Sequence, residues 1–234
     1  MKKIILLLLL VVPFSVFSFN SDSLRTKKIK IGVTFSPDFC FRKLKATTDS
    51  KWIADGRDSL EIPKFGYTAG ISLEFKVNTK LFLSSGILFS DCGEKTKEYS
   101  IGNLPIGQEA TTYSYKYHYY YLNIPVRANY FIVNRKIKFY LTAGLSANIF
   151  LYQKTTFFTH HQNSDPKVST RSNDGFSPLN ISALAGCGIN YPVSPKTTLL
   201  IEPIYRRSIN SIIDAPVKSY LYSIGINVGI LFNL

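Results

Sequence analysis

Apolar and polar residues alternate along most of the chain. From Phe65 to Val77 the odd positions Phe65, Tyr67, Ala69, Ile71, Leu73, Phe75 and Val77 are apolar, while Gly66, Thr68, Gly70, Ser72, Glu74 and Lys76 between them are small or polar. Strands turn successive side chains to opposite faces, so this period of two predicts a strand with two chemically different faces. The pattern recurs at Ile29–Phe35, Leu122–Ile132, Ile137–Leu151, Leu179–Tyr191 and Tyr220–Leu234, and less cleanly at Leu81–Cys92 and Thr197–Ser208. Eight strands are predicted, and no helix beyond the N-terminal apolar segment.

The connections sort by length. Turns at 77–80, 133–136 and 192–196 are short and carry Asn, Ser and Pro, which suit tight turns. The segments 42–64, 93–112, 153–178 and 209–217 are long, and long and short alternate strictly. Short turns on one side and long loops on the other, with an even strand number, describe a barrel crossing an outer membrane. Several strands exceed the five or six residues usual in globular proteins and match the roughly 9–11 of a tilted membrane crossing. The expected fold is all-β: an eight-stranded antiparallel up-and-down transmembrane β-barrel over residues 29–234.

The polar face is mostly Gly, Ser, Thr and Asn, too poor in charge for an aqueous exterior, so the apolar face is expected to meet lipid and the polar face the lumen. Barrel closure satisfies every backbone group, as lipid demands. The inward charges Glu74, Lys76, Arg127, Glu202 and Arg206 are expected to form one lumenal network around an Arg127–Glu202 ion pair. Phe65, Tyr67, Phe75, Phe89, Tyr130, Phe139, Tyr191, Tyr205, Tyr220 and Phe232 sit near strand ends on the apolar face and predict aromatic girdles. Pro125 and Pro203 cannot donate to a ladder, and a closed barrel has no edge to place them on.

Composition agrees with a lipid-facing surface. Hydrophobic residues make up 45% of the 234, and only 18% are charged. The one long apolar run begins at Ile4, behind Lys2 and Lys3, and is followed by Val16 and Ser18 at positions that suit signal peptidase. Residues 1–18 are therefore read as a cleaved signal peptide and 19–28 as a short periplasmic segment. Cleavage removes two lysines and takes the net charge from +13 to +11. Many of the remaining cations, among them Lys43, Lys45, Lys64, Lys95 and Lys154, fall on predicted outer loops, where they would meet lipopolysaccharide phosphates. Cys40 and Cys92 are placed to pair or to remain free thiols, and Cys187 is left over. No cysteine or histidine spacing suggests a metal, and no cofactor is expected.

The string Tyr121-Leu122-Asn123-Ile124-Pro125-Val126 resembles the Tyr-Leu-x-Ile-Pro segment of the PorT-like outer-membrane β-barrel family common in Bacteroidota. Ser85–Ser90, Phe139–Gly144, Ala185–Ile189 and Ile226–Phe232 resemble further strands of that family. The resemblance implies an eight-stranded barrel in the outer membrane of a Gram-negative bacterium, a tolerated bulge at Pro125, and no single activity; a few members serve secretion and gliding machinery. The expected role is structural or interactive, with loops 42–64, 93–112 and 153–178 as partner surfaces. A narrow pore for small solutes is the alternative, and a lipid-modifying enzyme a third. His118, His160 and His161 complete no Ser/His/acid constellation, so no catalytic residue is expected. The interleaving of Tyr113–Tyr121 with Ser114, Lys116 and His118 reads as a strand rising above the membrane, not as a nucleic-acid surface.

Overall fold

The structure, a computed structural model, describes residues 29–100, 112–134, 136–160 and 167–234. The signal peptide expected at 1–18 and the segment 19–28 lie outside the described residues, as do 101–111 of one long loop and 161–166 of another. The strands are β1 (Ile29–Ala46), β2 (Glu61–Lys76), β3 (Leu81–Cys92), β4 (Glu94–Thr96), β5 (Tyr99–Ser100), β6 (Thr112–Asn134), β7 (Lys138–His160), β8 (Lys167–Ser172), β9 (Leu179–Pro192), β10 (Thr197–Ser208) and β11 (Val217–Asn233). Between β1 and β2 stand a short 3-10 helix, Thr48–Ser50, and an α-helix, α1 (Lys51–Leu60).

Eight of these strands close on themselves. β1 pairs with β2, β2 with β3, β3 with β6, β6 with β7, β7 with β9, β9 with β10, β10 with β11 and β11 with β1, every pair antiparallel. The eight are the alternating segments of the sequence, but the sheet is larger than expected, with eleven strands among the described residues. β4 joins β2 to β6, β5 pairs with β6, and β8 pairs with β7. All three arise inside segments expected to be loops, and so does α1, where no helix was expected. Lys43, Lys45, Lys64 and Lys154 accordingly lie on strands rather than loops, and Lys64 is buried. β6 and β7 run for 23 residues each, about twice what a membrane crossing needs.

Burial follows the alternation. Val33, Ile71, Ile87 and Val126 are 53–60% exposed, whereas Thr34, Ser72, Arg127 and Glu202 are at most 7% exposed. The tight turns are closed by the residue types that predicted them. Asn78 Oδ1 accepts from the backbone N–H of Lys80 and of Leu81, both at 2.8 Å. Ser194 Oγ accepts from Lys196 and Thr197 at 3.2 and 3.1 Å.

The bulge expected at Pro125 is absent. Pro125 pairs with Ser146 in unbroken register, and on its other side the β3–β6 ladder keeps its register while skipping the positions opposite Gly86 and Ile87. Pro203 leaves the same kind of gap towards β9, and Pro37 towards β11. A missing N–H removes one ladder bond, which costs on the order of 1 kcal/mol and does not by itself displace a strand held on its other edge. The irregularities fall elsewhere in the β6–β7 pair, where Ile132 and Leu151 are left without a partner.

The lumen is not uniformly polar. Phe82, Phe131, Tyr140, Leu200 and Leu231 pack inside at the end with the short turns. Tyr119, Tyr121, Ile212 and Leu221 pack inside at the opposite end, with Phe150, Phe176 and Ile213 against them.

Candidate functional site

Between the two apolar clusters lies a stack of three ion pairs, drawn from the inward positions of β1, β2, β6 and β10. Nearest the short turns, Lys30 Nζ meets Glu74 at 2.8 Å and lies 5.6 Å from the Phe82 ring centroid. In the middle, Arg127 bonds Glu202, whose second oxygen accepts from Tyr140 Oη at 2.8 Å while Asn227 donates to the first at 3.3 Å. Above it, Arg206 meets Asp38 at 2.6 Å, and Ser36 and Thr68 also donate to that carboxylate.

The expected single network is therefore three separate pairs. Arg127 and Glu202 are brought together, but Glu74 turns to Lys30 and Arg206 to Asp38, while Lys76 makes no ion pair among the described residues. Lys30 and Asp38 were missed because β1 was read only as far as Phe35 and its inward charges were not counted. Close packing requires glycine at two points. A Cβ on Gly188 would lie 2.3 Å from Tyr140 Cζ, and one on Gly225 would lie 1.9 Å from Asp38 Oδ1. Tyr140 and Asp38 thus reach their partners across backbone that carries no side chain.

A cavity of about 80 Å³ remains in the upper lumen, walled by Asp38, Arg206, Asn148, Asn180, Tyr121 and Arg127 among others. Tyr121 Oη and Arg127 Nε have no protein partner. That volume holds several waters, not a sizeable solute.

At the loop end, α1 lies over the ring through buried charge. Arg42 bonds Glu61 at 2.7 Å and also bonds Asp58; Arg57 bonds Glu61 at 2.7 Å and lies 3.6 Å from Glu94. Glu94 is fully buried, accepts from Tyr119 Oη at 2.7 Å, and keeps its other oxygen without a partner. Burial, with the Glu61 carboxylate beside it, pushes Glu94 up to about 7.

The ten expected girdle residues share the outward face, five towards each end. Towards the long loops Phe65, Tyr67, Phe89, Tyr205 and Tyr220 are joined by rings not anticipated. Phe35, Tyr67, Phe89, Tyr120 and Tyr152 form a continuous belt with successive centroids 6.3, 6.2, 5.6 and 4.6 Å apart. Phe75, Tyr130, Phe139, Tyr191 and Phe232 lie towards the short turns. His118 stacks on Tyr120 and contacts Asp91 at 2.7 Å and Lys64 at 2.9 Å. His160 lies 3.0 Å from Ser114, and His161 is outside the described residues. All three cysteines are free; Cys40 and Cys92 face each other inside the ring across Gly66, and Cys187 is on the outer face. Among the described residues no group of three or more His, Cys, Asp or Glu could hold a metal ion.

Similarity to known proteins fits this architecture. Among solved structures the chain is similar to Neisserial surface protein A, with 14% identity over 88% of this chain and 97% of that one and a TM-score of 0.46. It is similar to the attachment invasion locus protein Ail of Yersinia pestis, with 12% identity over 87% and 99% and a TM-score of 0.34. It is also similar to the outer membrane protease OmpT of Escherichia coli, with 10% identity over 92% and 99% and a TM-score of 0.42. No curated protein matches. Residues 19–214 match the family described as "Outer membrane protein beta-barrel domain". The chain belongs to that outer-membrane β-barrel family, and its place is the outer membrane of a Gram-negative bacterium.

Proposed function

We propose that the ring of eight strands crosses the outer membrane as an up-and-down barrel and that the protein serves there as an interaction platform rather than an enzyme. The observation that carries this reading is the β6–β7 ribbon. From Tyr120 to Thr112 it continues beyond the aromatic belt for roughly 25 Å at the usual strand rise, and there it recruits β4, β5 and β8. Such an outgrowth contributes nothing to spanning lipid. Among the described residues β8 pairs only with β7, so its outer edge, carrying Lys167, Arg171 and an exposed Val168, can accept an extended segment of another protein. Adhesion and accessory work in secretion or gliding machinery are both served by this geometry, with 42–64, 93–112 and 153–178 as the contact segments. The two rows of aromatics mark the lipid interfaces in this reading, and among the described residues His118 bonds Asp91 and Lys64 and no serine hydroxyl.

Photo-crosslinking in intact cells from Arg171, which stays in place when residues 157–168 are removed, tests the proposal. An envelope protein should be captured, and capture should vanish when the tips of β7 and β8 are shortened while the barrel still migrates heat-modifiably. Equal capture by the shortened protein would end the ribbon's role. A second reading, a narrow pore, draws on the polar lumenal cavity; planar-bilayer conductance separates the two.

A further inference from the structure

On the outer face, where β9, β10, β11 and β1 approach the long-loop end, the alternation puts several cations together. Lys43 and Lys45 of β1, Arg207 of β10 and Tyr220 of β11 line one groove of about 220 Å³, floored by Ala183. The register sets their neighbourhood: Lys43 stands opposite Tyr220, Lys45 opposite Lys218, and Arg207 opposite both Tyr222 and Ala183. One step towards the membrane the same strands carry Tyr205, Phe41 and Tyr222, with the last two rings in edge contact at 6.1 Å. The groove thus sits immediately above the aromatic row, at headgroup height in the barrel reading.

Lys43 and Arg207 are exposed and have no anionic partner among the described residues. Lys45 Nζ lies 5.2 Å from the Tyr220 ring centroid, which holds both in place. The nearby Asp214 is engaged by Lys218 at 2.6 Å. Rim cations on a barrel commonly reach singly for water; here three converge from two non-adjacent strands on one concavity with no free acid in its wall. A fork-shaped guanidinium, two ammonium groups and a phenol match the oxygens of a phosphate monoester.

We propose that this groove binds a phosphate-bearing glycolipid headgroup of the outer leaflet, with Arg207 and Lys43 as the principal contacts. The inference rests on the membrane-spanning reading of the ring. Fully charged cations beside apolar strands are otherwise costly at the membrane boundary, and a lipid phosphate neutralises them where the aromatic row ends.

The full chain, purified from outer membranes, is reconstituted in phosphatidylcholine vesicles holding either bis-phosphorylated lipid A or the same lipid with its phosphates removed, and co-extracted lipid is counted by native mass spectrometry. The phosphorylated lipid should be retained and the stripped one lost. The double variant K43Q/R207Q should bind at least about tenfold more weakly, K43R/R207K should bind as the wild type does, and K80Q/K196Q, which removes equal charge at the short turns, should have no effect. Retention by K43Q/R207Q at the wild-type level, or equal retention of stripped lipid A, would overturn the proposal. Preferential binding of inorganic pyrophosphate over vesicle lipid would overturn it in favour of a soluble anion. Heat-modifiable migration and resistance to carbonate extraction are read on every sample: a wild-type protein that fails both defeats the barrel reading itself, whereas an inserted protein without lipid A defeats only the groove.

Discussion

Arg127 and Glu202 show what a single residue must satisfy inside a narrow ring. Glu202 is 0% exposed and receives Arg127, Tyr140 and Asn227. Removing one member of such a pair leaves an unpaired buried charge, which costs about 3–5 kcal/mol, whereas replacing both with apolar residues costs far less. Arg127→Met and Glu202→Leu should each destabilise the barrel by about that amount, and the double variant by clearly less than the sum, measured by reversible urea unfolding into lipid vesicles. Strictly additive losses would show that the two do not act as a pair. That these residues share the lumen was legible from parity alone. The Arg127–Glu202 match was also expected from the sequence. The partners of Glu74 and Arg206 were not, because partners on different strands are set by barrel stagger, and inward Lys30 and Asp38 of β1 take Glu74 and Arg206.

At the scale of the element, the lapses in alternation carry meaning. Leu81-Phe82-Leu83, Tyr130-Phe131-Ile132, Phe139-Tyr140-Leu141, Leu199-Leu200-Ile201 and Ile230-Leu231-Phe232 are apolar triplets near the short turns. The central residue of each is a member of the inner apolar cluster. A period of two cannot be seen inside a triplet, so parity did not set the cluster apart from the lipid-facing residues on either side of each member. α1 was hidden for a different reason. It is ten residues with one buried position, Ala54, and is held by charge rather than by an apolar stripe.

That mode of docking makes α1 sensitive to pH. Glu94 faces Glu61 of β2, Arg42 of β1, Arg57 of α1 and Tyr119 of β6, and its value is raised from 4.5 to about 7 when docked. The docked state therefore binds the proton more tightly than the undocked one. The stabilisation this supplies is complete below 4.5 and is lost as pH rises to about 7. Hydrogen exchange of the α1 amides should show weakening protection, relative to the Glu94→Gln variant, as pH climbs through that window. The variant keeps an acceptor for Tyr119 Oη but has no proton to lose. Identical pH slopes for both proteins would exclude Glu94 as the titrating group.

For the whole molecule, closure of eight strands leaves an interior only wide enough for side chains. The two apolar clusters and the three ion pairs occupy most of it, leaving about 80 Å³. Planar bilayers containing the wild-type protein should therefore carry no resolvable unitary current. Truncating Phe131, Tyr140 and Leu231 together to alanine should leave the bilayer silent as well, because the ion pairs and the cluster around Tyr119 and Tyr121 still fill the lumen. Unitary conductance by the wild type would favour the pore reading.

The alternation in the chain by itself determined the strand-rich class, the parity of each strand, the direction of the lipid-like face and the places of the tight turns. These are local properties: a backbone period of two and the turn chemistry of Asn78 and Ser194 act over a few residues. Tertiary structure alone decided the partners of Glu74 and Arg206, the inner apolar clusters, the seating of α1 and the added strands β4, β5 and β8. Each depends on stagger and curvature around the ring, which bring together residues such as Asp38 and Arg206, 168 positions apart in the chain, and no local period encodes that distance.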